Sequence, residues 1–156
     1  MKFKIVAVGK IKENYFKDAI AEYVKRIGRF ATVEIVEIAE CLFNGEPNAK
    51  QIDKIVNTEG TAILQKCEGY VVAMDIEGKQ LGSVELSNLI VANKQTNSTF
   101  TFVIGGSYGL SQEVKERANM RCSFGKITLP HQLFRVILCE QLYRACCIEN
   151  NVSYHK

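Results

Sequence analysis

The sequence predicts a three-layer α/β domain with a largely parallel sheet and helices on both faces. Two observations lead to this fold class. Short apolar segments of strand type alternate with longer segments whose apolar residues recur every three or four positions, as in amphipathic helices. The composition fits one globular domain spanning residues 1–156, since 47% of the residues are hydrophobic, 24% are charged and only two are prolines. Ligands of such a sheet are expected outside the carboxyl ends of its strands.

Five strands and five helices alternate in the predicted order. Gly28 is expected to end the first helix, and Ser83 is expected to be the N-cap of the third. Gly60 lies inside the second helix, where a glycine costs about 1 kcal/mol relative to alanine. The predicted strands are 4–8, 32–38, 70–76, 99–104 and 122–129, and the predicted helices are 14–26, 49–66, 83–94, 111–118 and 131–149.

Several classes of protein are disfavoured by composition. The apolar run that follows Met1 is much shorter than a signal-peptide core, and no stretch approaches the roughly 18 apolar residues of a membrane span, so we expect a cytoplasmic protein. The six cysteines lie mostly within apolar patterns and include no Cys-x-x-Cys pair, which favours small core residues over disulfides. The two histidines are not spaced for a metal ion, and no metal site is expected.

The charge distribution permits a nucleic-acid partner. The formal net charge is +3, and many of the cations fall in the last third of the chain, together with the candidate ligand loops. A surface that binds a phosphate backbone and an ordinary solvated basic face both fit this pattern.

The last predicted helix is apolar on nearly all sides. Placed at 100° intervals, Leu138 and Leu142 lie on one side, Leu133 and Ile137 on a second, and Val136 and Cys147 on a third. A terminal helix has no evident second layer to cover so wide a surface, so the pattern favours a homodimer in which a second copy covers the remainder. The alternative is a helix sandwiched within one subunit.

Two predicted strands end in loops suited to a polar ligand. Strand 99–104 leads into Gly105–Gly109, and strand 122–129 leads into Pro130 and the start of the last helix. We predict that these strand ends form one ligand site. The glycine loop by itself is also typical of a plain strand-to-helix turn. It is not the dinucleotide fingerprint, which needs Gly-x-Gly-x-x-Gly after the first strand, and no Gly-Lys-Ser/Thr phosphate loop is present.

The specific signal is a combination of four motifs across the C-terminal half. They are the glycine loop at 105–109, the segments 123–132 and 140–145, and the tail Ser153-Tyr-His-Lys156. With these motifs the chain resembles the small bacterial ribosomal RNA methyltransferases of the SPOUT superfamily, which methylate N3 of a pseudouridine in large-subunit RNA. The resemblance spans the whole chain, from Val6-Ala-Val-Gly9 to the tail.

This resemblance implies a homodimer whose C-terminal half forms a trefoil knot and holds S-adenosylmethionine in a bent shape. Periodicity could not have shown a knot, since knots are rare among folds. The residues that match the family's cofactor site are Met74, Gly105, Phe124, Gly125, Lys126, Ile127, Thr128 and Leu129. Met74 stands where the family often has leucine, which keeps an apolar contact. Without the resemblance, Met74 and Phe124 would be read as core residues.

Methylation at N3 requires loss of its proton and alignment of the nitrogen with the sulfonium methyl group, so positioning and stabilisation of the imide anion are expected to dominate. The candidate catalytic residues are His131, Arg135, Tyr143, Arg144, Tyr154 and His155. Ordinary roles compete with these: His131 can cap the helix, Glu140 and Arg144 can form an i,i+4 pair, and the tail can fray. We expect the tail to fold over the site, in its own chain or in the partner subunit, with Tyr154 stacked on the target base.

The leading hypothesis is therefore an S-adenosylmethionine-dependent ribosomal RNA methyltransferase that acts on the assembled ribosome. One rival is a non-catalytic RNA-binding factor for ribosome assembly on the same fold, which predicts RNA affinity without cofactor affinity. A second rival is a nucleotide-dependent oxidoreductase, which the missing dinucleotide fingerprint disfavours.

Overall fold

The computed structural model describes residues 1–156 and contains five strands that alternate with five helices. The elements are β1 Lys2–Val8, α1 Asn14–Ile27, β2 Thr32–Ile38, α2 Ala49–Leu64, β3 Tyr70–Gln80, α3 Ser83–Asn93, β4 Thr99–Ile104, α4 Gln112–Arg117, β5 Met120–Ser123 and α5 His131–Glu149. None of the helices is long and apolar enough to cross a membrane.

All five strands form one parallel sheet in the order β2-β1-β4-β3-β5. In the centre of the sheet Ile5 is in register with Ile35 on one side and with Phe102 on the other. Strands buried on both faces read as continuous apolar runs, which is why β1, β3 and β4 were recognisable in the sequence. The predicted fold class is confirmed.

The helices cover both faces of the sheet and form two cores. Residues of α1, α3 and α5 join one cluster with Phe3, Phe100 and Phe102, whose rings meet edge to face. Residues of α2 and α4 join a second cluster with Val6 and Val103 on the opposite face. The two clusters alternate along the strands because successive side chains point to opposite faces.

The fifth strand is shorter than predicted. β5 ends at Ser123, and residues 124–130 form a loop, so the predicted strand 122–129 is wrong for most of its length. Gly125 adopts φ +132°, outside the range of a strand, and Pro130 cannot donate to a ladder. β3, by contrast, runs on to Gln80 through an irregularity in which Met74 and Lys79 both lie opposite Cys122.

The N-cap of α3 also differs from the prediction. Gly82, not Ser83, is the N-cap, and its N–H group donates to the Glu85 carboxylate at 2.7 Å. The Ser83 hydroxyl is engaged elsewhere, since it donates to the Gln141 side chain on α5 at 2.7 Å. Ser83 therefore links α3 to α5 and does not cap its own helix.

Helix α5 lies against the sheet with α1 on one side and α3 on the other. Leu138 and Leu142 are fully buried in this position, so much of its broad apolar surface is covered within one chain. The outward face carries Leu133, Ile137 and Ile148, which are half-buried and lie outside both core clusters. This face is what a second copy of the chain would have to cover.

Candidate cofactor site

A cavity of about 550 Å³ opens at the carboxyl ends of β4 and β5, beside the middle of β3. Its volume lies within the roughly 300–1,000 Å³ typical of small-molecule sites. The walls are residues 74–76 of β3, the glycine loop after β4 and the loop after β5, and the first turn of α5 closes one side. The two strand ends predicted to form one ligand site do line a single cavity.

The glycine loop allows an unusually close passage of the backbone. A Cβ atom on Gly105 would lie 2.7 Å from the carbonyl oxygen of Gly109, so no other residue fits without displacing the loop. Gly109 has φ +87° and donates its N–H group to the carbonyl of Gly106 at 3.1 Å. The loop ends at Ser111, whose side chain accepts from Val114 N and caps α4. Its conformation is therefore fixed at both ends.

The loop after β5 presents free backbone groups to the cavity. Ser123 Oγ accepts from Gly125 N at 3.1 Å and donates to Gly125 O at 2.9 Å, which fixes the start of the loop. The backbone N–H and C=O groups of residues 126–129 make no hydrogen bond within the chain. Such groups are available to the polar edge of a ligand.

The cavity has an apolar floor, and its lining also includes the charged side chains of Asp75, Lys115 and Lys126. Met74 and Ile104 are almost fully buried, and the ring of Phe124 lies 5.6 Å from that of Phe134 between centroids. Asp75 accepts from the Arg121 guanidinium at 2.8 Å. Burial alone would raise the pKa of Asp75, but hydrogen bonds from the backbone of Glu77 and from Arg121 hold it below its ordinary value.

Comparisons with known proteins identify the family. A family model described as "Predicted SPOUT methyltransferase" matches residues 1–155. The chain is 47% identical over 159 residues to proteins of Streptococcus agalactiae serotype III (strain NEM316) and Streptococcus pneumoniae (strain CGSP14), each named ribosomal RNA large subunit methyltransferase H, with 100% of both chains covered. The chain belongs to the SPOUT methyltransferase family. Its fold resembles that of a "probable methylase family protein" from Haemophilus influenzae Rd KW20, with a TM-score of 0.56 and 12% identity over 99% of this chain and 70% of that one.

SPOUT methyltransferases take their methyl group from S-adenosylmethionine, and the cavity fits this cofactor. The buried side chains of Met74 and Ile104 and the partly buried ring of Phe124 offer apolar surface to an adenine ring, and the free backbone groups of residues 126–129 can pair with its polar edge. All residues expected at the cofactor site from the sequence line the cavity. They are Met74, Gly105, Phe124, Gly125, Lys126, Ile127, Thr128 and Leu129.

Among the candidate catalytic residues of this SPOUT protein, His131 lines the cavity and Arg135 does not. The Arg135 side chain is 3% exposed and points to β1, where its guanidinium donates to Val8 O at 2.7 Å and Gly9 O at 2.8 Å. It also pairs with Glu37 at 3.2 Å. Arg135 therefore ties the start of α5 to the end of β1, which positions the helix turn that carries His131.

The remaining candidates form a separate cluster at the far end of α5. Glu140 accepts from Arg144 at 2.5 Å and from the Tyr154 hydroxyl at 3.1 Å, and the Arg144 guanidinium lies 4.7 Å from the centroid of the Tyr154 ring. His155 Nδ1 lies 3.5 Å from Arg144, and the ring of Tyr143 meets that of Tyr154 at 4.8 Å. The tail is thus packed on its own helix, away from the cavity of the same chain.

One buried residue near the cavity was missed by the sequence reasoning. Glu59 on α2 is 4% exposed and lies directly behind Gly106 of the glycine loop. A signal was present in the sequence, because Glu59 stands four residues from both Ile55 and Ile63 and so falls on the buried face of its helix. Asp75 and Tyr108 also line the cavity and had not been singled out.

Proposed function

We propose that this protein is an S-adenosylmethionine-dependent methyltransferase that methylates N3 of a pseudouridine in large-subunit ribosomal RNA, in the cytoplasm and on the assembled ribosome. The observation that carries the proposal is the cavity between the glycine loop and the loop at 124–129, in a chain 47% identical along its whole length to proteins named for this RNA. The trefoil knot belongs to the proposal. It is supported by the path of the chain, since α5 lies between α1 and α3 although it follows the edge strand β5.

In this proposal the chain binds the cofactor through the shape of its cavity and through hydrogen bonds from its backbone. S-adenosylmethionine, when bound, supplies an activated methyl group on its sulfonium. Gly105 lets the backbone approach closely, Met74 and Phe124 provide apolar contacts, and residues 126–129 provide free amide and carbonyl groups. These groups orient the ligand and exclude water, which is the positioning effect expected to supply most of the rate.

His131 is the candidate for handling the N3 proton. It is the candidate catalytic side chain that lines the cavity, and it stands at the first position of α5, where the helix N-terminus favours a nearby negative charge. The imidazole of His131 can accept the proton of the imide, and the helix N-terminus can stabilise the anion that remains.

The tail cluster requires a second copy of the chain to reach a cavity. Arg144 lies more than three turns beyond His131, about 20 Å along the helix axis. If two α5 helices pack antiparallel through the face that carries Leu133, Ile137 and Ile148, the Arg144–Tyr154 cluster of one chain comes beside the first turn of α5 in its partner. We therefore include in the proposal a homodimer in which Arg144, Tyr154 and His155 act across the interface.

Deletion of Ser153–Lys156 tests the role of the tail. The truncated protein should bind S-adenosylmethionine in calorimetry as the full chain does, because no residue of the tail lines the cavity. Methyl transfer to ribosomes should be lost, and full activity without the tail would rule out the assignment of Tyr154 and His155.

Mixed dimers test whether the tail acts across the interface. Heterodimers of the truncated chain with a Gly105→Ala chain contain one intact cavity and one intact tail, which belong to different subunits. Activity restored by mixing two inactive chains supports action in the partner, whereas inactive heterodimers show that each tail serves its own chain. Light scattering establishes that the mixed species are dimers.

The nature of the product is tested in cells. Ribosomal RNA from cells that lack this protein should be missing one methyl group on a pseudouridine, as measured by mass spectrometry. If the RNA is unchanged and the purified protein binds ribosomes without binding S-adenosylmethionine, the protein is instead an assembly factor without catalytic activity.

A further inference from the structure

Glu59 is a buried carboxylate without a countercharge. It is the one acidic residue among the buried polar side chains, and it takes part in no ion pair. One of its oxygens accepts the N–H group of Cys41 at 2.9 Å. A buried carboxylate with a single hydrogen bond and no ion pair lowers the stability of the fold, which suggests that Glu59 is retained for a functional reason.

The carboxylate is separated from the cofactor cavity by a single stretch of backbone. Its second oxygen, Oε2, lies only 2.6 Å from the place that a Cβ atom of Gly106 would occupy. Gly106 lines the cavity, and its missing side chain is what allows the carboxylate to stand directly behind the wall. The charge of Glu59 therefore acts on whatever the cavity holds.

The other charges around the cavity do not neutralise Glu59. Asp75 pairs with Lys115 at 3.4 Å and with Arg121, which also lies 3.5 Å from Glu77, so these two cations and two carboxylates compensate one another. Lys126 also lines the cavity, but its side chain is exposed to solvent. The ionisable neighbours of Glu59 are Glu40, which repels its charge, and His131 at the cavity. Burial, reinforced by Glu40, raises the pKa of Glu59 above its ordinary value. A cation inside the cavity would be the missing partner.

We propose that Glu59 is a specificity-determining residue that makes the cavity favour the cationic S-adenosylmethionine over the neutral S-adenosylhomocysteine. The two molecules differ by one methyl group and one positive charge, because loss of the methyl group turns the sulfonium into a thioether. An unpaired negative charge behind the wall discriminates between them through charge alone, and it thereby promotes exchange of the spent product for fresh cofactor. The inference rests on the proposed function, which supplies the identity of the ligand.

Calorimetry with both ligands tests the proposal. The wild type is compared with Glu59→Gln, which keeps the size of the side chain and an acceptor for Cys41 N but removes the charge. The affinity for S-adenosylmethionine should fall about tenfold, which is the effect of one charge pair roughly 12 Å apart at an effective dielectric constant of about 20, while the affinity for S-adenosylhomocysteine stays unchanged. Glu59→Asp, which keeps the charge, should retain most of the preference.

A control variant and three contrary results make the test decisive. Glu40→Gln removes a neighbouring but solvent-exposed charge and should leave the ratio of the two affinities unchanged. An equal loss of both affinities in Glu59→Gln would show that Glu59 supports the structure of the glycine loop, and it would overturn the inference. An unchanged ratio of the two affinities would overturn it as well.

If Glu59→Gln does not fold, Glu59→Met, which is of similar length and uncharged, is compared with the wild type in the same way. A wild type that binds neither ligand would refute the proposed function itself, whereas a wild type that binds both with a ratio independent of Glu59 refutes only this inference.

Discussion

Replacement of Arg135 by methionine separates a structural role of this residue from a catalytic one. The variant loses two charge-assisted hydrogen bonds, to Val8 O and Gly9 O, and an ion pair with Glu37. Each hydrogen bond from a charged donor contributes about 1.5–3 kcal/mol, whereas Glu37 is partly exposed and can be rehydrated, so its pair adds little. Methionine can fill much of the vacated volume. The free energy of unfolding should fall by about 3–5 kcal/mol, equivalent to a decrease of roughly 10 °C in Tm.

Urea unfolding followed by circular dichroism measures this loss for the wild type, Arg135→Met and the control Arg29→Met. Arg29 is exposed, so its replacement should change the free energy of unfolding by less than about 0.5 kcal/mol. Folded Arg135→Met should bind S-adenosylmethionine within about threefold of the wild type, a factor worth less than 1 kcal/mol, because Arg135 does not line the cavity. A change in stability below about 1 kcal/mol together with abolished methyl transfer would refute this reasoning and place the guanidinium in the chemistry.

Two further perturbations probe the glycine loop and the carboxylate behind it. Gly105→Ala would bring a Cβ atom to 2.7 Å from Gly109 O, so calorimetry should show at least tenfold weaker binding of S-adenosylmethionine, a cost of about 1.4 kcal/mol. The control is Gly82→Ala, whose Cβ atom would meet only a Glu85 side-chain oxygen, at 3.5 Å. Equal affinities in the two variants would argue against a close backbone approach at Gly105. Burial raises the pKa of Glu59, so folding disfavours its ionised form, and the resulting penalty develops as the pH rises above the unfolded value of about 4.5. The stability of the wild type relative to Glu59→Gln, measured by urea unfolding, should therefore fall as the pH rises above about 4.5 and level off once Glu59 is ionised in the folded protein; a constant difference would contradict the assignment of a buried, ionising carboxylate.

The parts of the fold that follow from local pattern were accessible from the sequence. Strand β2 and helix α5 have the predicted bounds, because alternation and three-to-four-residue spacing are properties of the segment itself. The eight residues that the family resemblance placed at the cofactor site all line the cavity, whereas other lining residues such as Asp75 and Tyr108 were not predicted. The strand predicted at 122–129 is wrong beyond Ser123 because residues 124–129 line the cavity and do not pair with a neighbouring strand, although their composition is typical of a strand.

By itself the sequence determined the alternation of strands and helices, the apolar strands of a buried sheet and the two loops that end at one edge. Tertiary structure alone decided what the charged side chains do. Arg135 finds its carbonyl partners 127 and 126 residues away at the end of β1, and Glu59 lies behind a glycine of the loop that follows β4. Tyr154 and Arg144 meet on the outer part of α5, about 20 Å along that helix from the cavity. Periodicity reports which face of an element is buried, but the partner of a buried charge depends on how distant elements are brought together, and that is set by the packing of the whole chain.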